Sequence, residues 1–131
     1  MPRVLVVDDD RVQLELRRVV LTAEGYQVLL AATPSQAIEQ LRQGCDLLMM
    51  DLRFLNSSGM PDAREGLALI RKIRAIDSRV PILVLSGWPD DIEGSPEQKM
   101  VSQVMPKPVP TRVLLAALAA LRRGKGSVPG D

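Results

Sequence analysis

An apolar run leads directly into three carboxylates in the stretch VLVVDDD, residues 4–10. A short, fully apolar run bounded by polar residues is typical of a buried strand of a parallel sheet. The acids would then lie at the carboxyl end of that strand, where open α/β sheets bind their ligands. A second apolar run, residues 47–50, leads in the same way into Asp51. Carboxylates from two strand ends repel one another unless a cation intervenes, so the pattern predicts a small acidic pocket suited to Mg²⁺.

Apolar runs recur along the whole chain and alternate with stretches of helical periodicity. The runs occupy residues 3–7, 26–31, 46–50, 81–85 and 103–105. This alternation is typical of repeated βαβ units, in which parallel strands are joined by helices. The sequence therefore predicts an α/β fold with five strands and five helices.

The sequence signals for the predicted helices differ in strength. The first presents an apolar face at helical spacing and is predicted to bury Val12, Leu16, Val19, Val20 and Ala23. The fifth, over about residues 110–123, has the clearest apolar side. The fourth would begin near Ser95 and should be short and weak, because the preceding residues 87–94 are rich in Gly, Pro and Asp.

Composition indicates one small globular domain, with 131 residues, 46% hydrophobic residues and a formal net charge of +1. The apolar stretch at residues 113–121 is too short to cross a bilayer, and no secretory signal fits before residue 8. A single cysteine and no histidine argue against an intramolecular disulfide and a transition-metal site. We expect a cytoplasmic protein that binds neither nucleic acid nor membrane directly.

The last residues differ in composition from the rest of the chain. Residues 124–131, GKGSVPGD, have the composition of a linker or flexible tail. The sequence therefore predicts a domain over residues 1–123 and a tail over residues 124–131.

Two further predicted strands end in the polar residues Ser86 and Lys107, so four of the five strands bring polar groups to one edge of the sheet. These groups are the parts needed to transfer a phosphoryl group to a carboxylate. Asp51 would attack phosphorus, and Ser86 and Lys107 would hold phosphoryl oxygens. Mg²⁺ held by Asp9, Asp51 and Asp8 would neutralise charge.

The combined pattern resembles the receiver domain of two-component response regulators over about residues 2–123. The resemblance rests on Val-Val-Asp8-Asp9, the lone Asp51, Leu-Ser86-Gly87 and Lys107-Pro108. It implies a flavodoxin-like, doubly wound parallel sheet of strand order 2-1-3-4-5 and a cis peptide before Pro108. It also implies Mg²⁺-dependent phosphorylation of Asp51 by a histidine kinase or histidine phosphotransfer protein, and signalling to a downstream protein target.

The resemblance implies two further properties. The backbone carbonyl of Arg53 would be an additional metal ligand, while its side chain would reach either the phosphoryl group or solvent. The domain would assist its own phosphorylation and dephosphorylation without turning over an external substrate. Receivers also often pair through their fourth and fifth helices, so a homodimer is one possible assembly.

Two features depart from the receiver pattern. The segment at residues 54–64 is longer than receivers normally have, and either covers the phosphoryl site or is a harmless surface extension. Val104 stands where many receivers carry a switch aromatic. Either Trp88 or movement of the fourth helix would then transmit the signal, unless the output surface is used without much switching.

Three other classes of protein fit part of the pattern. A degenerate receiver would act only as a phosphorylation-independent interaction module. A haloacid-dehalogenase-like phosphatase would use Asp8, Asp10, Ser86 and Lys107, but it needs an acidic pair beyond the lysine, and no acid lies between Lys107 and Asp131. A flavin-binding flavodoxin relative would need a Ser/Thr/Gly-rich phosphate loop after the first strand, which this chain lacks.

Overall fold

The computed structural model describes residues 1–124, in which a five-stranded parallel sheet carries helices on both faces. The parallel strands are β1 (Arg3–Val7), β2 (Gln27–Ala31), β3 (Leu47–Asp51), β6 (Ile82–Ser86) and β7 (Gln103–Pro106). A short antiparallel hairpin consists of β4 (Phe54–Leu55) and β5 (Pro61–Asp62). The helices are α1 (Arg11–Ala23), α2 (Pro34–Leu41), α3 (Ala63–Ile76) and α4 (Thr111–Arg122). The predicted tail lies outside the described residues from residue 125 onward, so the domain limit stays a prediction.

The strand order is β2-β1-β3-β6-β7, which is 2-1-3-4-5 when the parallel strands alone are numbered. The predicted order is therefore confirmed. Helices α2 and α3 pack on one face of the sheet, and α1 and α4 on the other. The chain passes from β1 to β2 on one side of β1 and then crosses to β3 on its other side, so the order of the parallel strands changes direction between β1 and β3. Such a switch point leaves a crevice at the carboxyl ends of these two strands.

Helix α1 buries the opposite face from the one predicted. Its buried residues are Leu14 and Leu21, whereas Val12, Leu16 and Val19 are 67%, 54% and 53% exposed. The helix has apolar residues on two sides, and spacing alone does not show which side meets the sheet. The prediction for this helix was wrong, and α1 carries an exposed apolar stripe, defined here as Val12, Leu16 and Val19.

The predicted fourth helix is replaced by two 3₁₀ helices, Pro89–Asp91 and Pro96–Met100. Residues 1–124 therefore contain four α-helices rather than five. Ser95 stands at the N-cap position of the second 3₁₀ helix, but its side chain makes no capping hydrogen bond. Its hydroxyl donates to the Ile92 carbonyl at 2.6 Å. The possible pairing through the fourth and fifth helices thus lacks one of its two α-helices.

Contacts with α3 hold the second 3₁₀ helix in place. Arg71 lies 3.3 Å from the carboxylate of Glu97, which is 6% exposed. The Nε of Arg74 donates to the Met100 carbonyl at 2.7 Å, and Nη1 donates to the Val80 carbonyl at the same distance. Charged side chains on α3 therefore hold a connection that lacks regular helical structure.

The first two helices are each capped by a polar side chain. The Asp10 side chain accepts hydrogen bonds from the backbone N–H groups of Val12 and Gln13, and Thr33 caps α2, with a proline at its start. Gly25 follows α1 with φ of 93°, a conformation that glycine adopts readily. Within residues 1–124 we find no helix with the length and apolar character of a membrane span.

Candidate functional site

Three carboxylates from two adjacent strands meet at the carboxyl edge of the sheet. Val7 of β1 pairs with Met50 of β3, so the residues that follow these two stand side by side. One oxygen from each of Asp8, Asp9 and Asp51 lies within 4.8 Å of the others. The structure thus brings together the three acids that the sequence predicted as metal ligands.

Asp8 is the most enclosed member of this acidic cluster. Its residue exposure is 4%, and one of its oxygens accepts the Asp10 backbone N–H at 2.9 Å. Burial, together with the negative charges of Asp51 and Asp9, raises the pKa of Asp8 to about 6, against the opposing effects of the Asp10 N–H and Lys107. A cation would favour the ionised carboxylate and oppose this rise.

Asp51 is anchored through one of its two oxygens. The Lys107 ammonium lies 2.8 Å from Oδ1, and the Leu52 backbone N–H donates to the same atom at 3.1 Å. Among residues 1–124, Oδ2 receives no comparable hydrogen bond. The two oxygens of Asp51 are therefore chemically distinct.

Ser86 and Lys107 reach the site from the ends of two neighbouring strands. The Ser86 carbonyl accepts the Lys107 backbone N–H at 2.8 Å, which aligns the ends of β6 and β7. Ser86 is 1% exposed, and its Oγ accepts the Trp88 N–H at 3.0 Å, so its hydroxyl proton is left to donate. The Lys107-Pro108 peptide is cis, as the resemblance implied.

The Arg53 side chain goes to a partner that the sequence did not indicate. Its Nε and Nη2 donate to the two carboxylate oxygens of Asp91, at 2.7 Å and 3.2 Å. Its guanidinium carbon also lies 3.7 Å from the centroid of the Trp88 ring. The hydrogen bond that Arg53 donates to the Asp91 carboxylate raises the pKa of Arg53. The side chain thus connects the segment after β3 to the segment after β6, while its carbonyl remains only a predicted metal ligand.

The extended segment after β3 folds into the β4–β5 hairpin and contacts the acidic cluster. The Leu55 backbone N–H donates to Asp9 Oδ2 at 2.9 Å. Phe54, beside it, is 2% exposed and belongs to the hydrophobic core. This segment is therefore an ordered part of the site's surroundings.

The chemistry of the cluster fits a hard divalent cation. All three side chains offer carboxylate oxygens, and one of them is buried, which is the type of donor that Mg²⁺ prefers. The Lys107 ammonium adds a positive charge 2.8 Å from Oδ1 of Asp51. The arrangement can hold a cation and a phosphoryl group next to each other.

Sequence comparison decides the family. A sequence model described as the response regulator receiver domain matches residues 4–119. The chain belongs to this family. The receiver domain therefore accounts for most of the residues that the structure describes, including every strand that carries a site residue.

Individual relatives agree with this assignment. The chain is 37% identical over 99 residues to the transcriptional regulatory protein AruR of Pseudomonas aeruginosa, a match that covers 71% of this chain and 37% of AruR. It is 29% identical over 128 residues to a CpxR homologue of Haemophilus influenzae, a match that covers 97% of this chain and 53% of the relative. The chain thus spans between about a third and a half of the length of these two regulators.

A solved structure of similar fold is that of the response regulator TrrA of Thermotoga maritima, described as a complex with Mg²⁺ and BeF. The TM-score is 0.77 at 24% identity, and the match covers 92% of this chain and 99% of that one. At this identity the likeness concerns the fold, and it supports the same arrangement of sheet and helices.

Most residues of the receiver's site could be predicted from the sequence, because each one ends or follows an apolar strand. Asp8, Asp9, Asp51, Ser86 and Lys107 all lie at the predicted edge of the sheet. Sequence reasoning missed the Leu55 N–H and the Asp91 carboxylate. A backbone donor carries no residue-type signal, and the pairing of Arg53 with Asp91 spans 38 positions.

Proposed function

We propose that Asp51 of this receiver domain accepts a phosphoryl group from a phosphohistidine of a partner kinase or phosphotransfer protein. The observation that carries this proposal is the Lys107 ammonium 2.8 Å from Asp51 Oδ1, beside a cluster of three carboxylates. Oδ2 forms the new bond to phosphorus as the P–N bond breaks, and the donor histidine keeps the electron pair of that bond. No other carboxylate of the cluster is paired with a lysine in the described residues.

Asp8, Asp9, Asp51 and the Arg53 carbonyl are the proposed ligands of Mg²⁺. The bound ion supplies positive charge that stabilises the phosphoryl oxygens. Lys107 contributes a second positive charge, and the Ser86 hydroxyl donates a hydrogen bond to a phosphoryl oxygen. These groups act by position and charge, so the domain assists its own modification and is not a turnover enzyme.

The burial of Asp8 opposes the phosphatase alternative. A haloacid-dehalogenase-like enzyme would use Asp8 as the nucleophile, yet this residue is 4% exposed and its pKa is raised to about 6. A buried carboxylate is less accessible to a substrate than that of Asp51, which is only partly buried. Lys107 contacts Asp51 itself, and Ser86 follows Leu85, the strand partner of Asp51. This placement favours the receiver reaction.

The exposed apolar stripe of α1 supports a protein partner at this edge. The helix begins one residue after Asp10, so the stripe starts next to the carboxylates. Exposed apolar side chains at helical spacing are typical of surfaces that bind another helix. We propose that a cytoplasmic phosphodonor contacts this stripe and that a downstream protein recognises the phosphorylated domain.

Intact-mass measurement after incubation with Mg²⁺ and acetyl phosphate tests the phosphoacceptor. The wild type should gain one phosphoryl group, and Asp51→Asn should gain none. Asp46→Asn is the matched control, because Asp46 precedes the same strand at its opposite end, and it should be labelled like the wild type. A wild type that stays unmodified would favour the degenerate interaction module. Phosphate-monoester turnover that depends on Asp8 would identify Asp8, which follows β1, as the nucleophile in place of Asp51.

A second measurement tests the surface separately from the chemistry. Leu16→Glu should slow phosphoryl transfer from a phosphorylated histidine kinase while leaving labelling by acetyl phosphate unchanged, because the stripe lies outside the pocket. Equal slowing with both donors would argue against a docking role for the stripe.

A further inference from the structure

The β4–β5 hairpin is anchored to the core by one of its faces. Phe54 is 2% exposed, while Leu55 is 61% exposed, as expected where successive strand residues point to opposite sides. Phe54 pairs with Asp62, and Leu55 pairs with Pro61. The buried ring therefore fixes the orientation of the strand that follows Arg53.

A network of hydrogen bonds from Asn56 organises the hairpin's loop. The Asn56 side-chain oxygen accepts the backbone N–H groups of Ser58 and Met60, at 2.9 Å and 3.1 Å. Its amide nitrogen donates to Asp62 at 3.2 Å, and Asp62 caps α3 by accepting the Arg64 N–H at 2.9 Å. The hairpin is thus built into the start of α3.

This geometry directs the Leu55 N–H toward the acidic cluster. The Asn56 N–H points across the hairpin and donates to the Met60 carbonyl at 2.9 Å. Because N–H groups alternate in direction along a strand, the neighbouring N–H of Leu55 points away from β5. It donates to Asp9 Oδ2 at 2.9 Å, a hydrogen bond strengthened when Asp9 is ionised.

We propose that the hairpin, residues 54–62, is a positioning element of the metal site. The backbone N–H of Leu55 fixes one oxygen of Asp9, so the other oxygen is presented to the cation without reorganisation. Partners that orient metal-binding side chains in this way contribute strongly to metal affinity. This inference rests on the proposed function, because it assigns Asp9 to a Mg²⁺ site, and it makes Leu55 a positioning residue that acts through its backbone.

Replacement of one backbone donor tests the proposal. Leu55→Pro removes the N–H, and the change leaves the hairpin's own ladder intact because that N–H takes no part in it. The Mg²⁺ dissociation constant, measured by calorimetry and by the fluorescence of Trp88, should rise about tenfold or more. Leu55→Ala keeps the N–H and shortens the side chain, and its affinity should stay within about twofold of wild type. Equal Mg²⁺ affinity in wild type and a folded Leu55→Pro would overturn the proposal.

Hydrogen exchange provides a test that needs neither the proline variant nor the metal. In metal-free wild type the Leu55 amide proton should exchange slowly, and Asp9→Ala should speed its exchange while the Asn56 amide stays protected. Unchanged exchange at Leu55 would overturn the proposal even if Leu55→Pro does not fold. A wild type that binds no Mg²⁺ would remove the proposed metal requirement together with this inference, whereas normal wild-type binding with an unaffected Leu55→Pro would overturn this inference alone.

Discussion

The connection after β3 and the connection after β6 leave neighbouring strands at the edge of the sheet that carries Asp51, yet they gain their order in different ways. The first connection, residues 52–62, includes the β4–β5 hairpin, which is anchored by Phe54 and organised by Asn56. Residues 87–102 contain two 3₁₀ helices where a regular helix was predicted. The connection after β3 is ordered mainly by hydrogen bonds among its own residues, whereas the connection after β6 is ordered by contacts with α3.

The difference shows that both connections are ordered by particular side chains rather than by helix or strand propensity. Each is tied to α3, the first through the cap at Asp62 and the second through Arg71 and Arg74. Arg53 then joins the two connections directly through Asp91 and Trp88. These contacts join the two connections next to the strand that ends at Asp51.

The largest expected effect concerns the contact between the first connection and α3. A Cβ on Gly66 would lie 2.0 Å from the Leu52 carbonyl oxygen, so Gly66→Ala must move the backbone. We expect a loss of about 2–3 kcal/mol in the free energy of unfolding, measured by urea denaturation. Gly87→Ala, whose added Cβ meets nothing within 4 Å, is the control for the second connection and should change stability by less than about 0.5 kcal/mol. Similar losses in both variants would contradict this contrast.

The second prediction examines how α3 holds the other connection. Glu97 is buried, whereas the Arg71 side chain is 54% exposed. Arg71→Ala leaves a buried carboxylate without its cation and should cost about 1–3 kcal/mol in urea denaturation. Glu97→Gln leaves only an exposed arginine and should cost less. The reverse ranking would show that the ion pair does not hold the 3₁₀ helix.

The third prediction concerns Asp8, which follows β1 and belongs to neither connection. Its pKa is about 6 in the folded protein against an ordinary 3.8, so between these pH values the folded protein holds more protons than the unfolded chain. In metal-free solution the stability should therefore fall as pH rises through this window. Asp8→Asn should remove that dependence and be roughly 1–2 kcal/mol more stable at pH 7.

Thermal denaturation at several pH values measures the effect, and Asp46→Asn is the control. Because Mg²⁺ favours the ionised form, it should raise the melting temperature of wild type more than that of Asp8→Asn. A wild-type pH profile that matches the profile of Asp8→Asn would show that Asp8 titrates normally.

The smallest expected effect concerns the bridge between the two connections. Arg53→Lys keeps the positive charge but loses the bidentate contact with Asp91 and the flat stacking on Trp88. Acrylamide should quench Trp88 fluorescence more strongly in this variant, while the melting temperature changes little. Lys72→Arg, at an exposed position on α3, is the control. Acrylamide should quench its Trp88 fluorescence to the same extent as in wild type. Unchanged quenching in Arg53→Lys would indicate that the bridge does not shield the ring.

Much of the fold and of the site could be predicted because the relevant signals are local. An apolar run followed by a polar residue marks both a buried strand and its functional end, which is why Asp9, Asp51, Ser86 and Lys107 could be placed at one edge. The helix caps Asp10 and Thr33 act within three residues of their own positions. Such features depend on short-range geometry, so the residue types around them carry a local signal.

The remaining features were decided by tertiary contacts. Periodicity shows that α1 has apolar residues, but the packing against the sheet selected Leu14 and Leu21 and left the stripe exposed. The Asp9 contact with the Leu55 N–H spans 46 positions. The sequence by itself determined the five parallel strands and the acid, hydroxyl and lysine at their ends, and the family resemblance implied the strand order. Only the tertiary structure decided which faces are buried and which loops reach the pocket, because those outcomes depend on contacts between segments far apart in the chain.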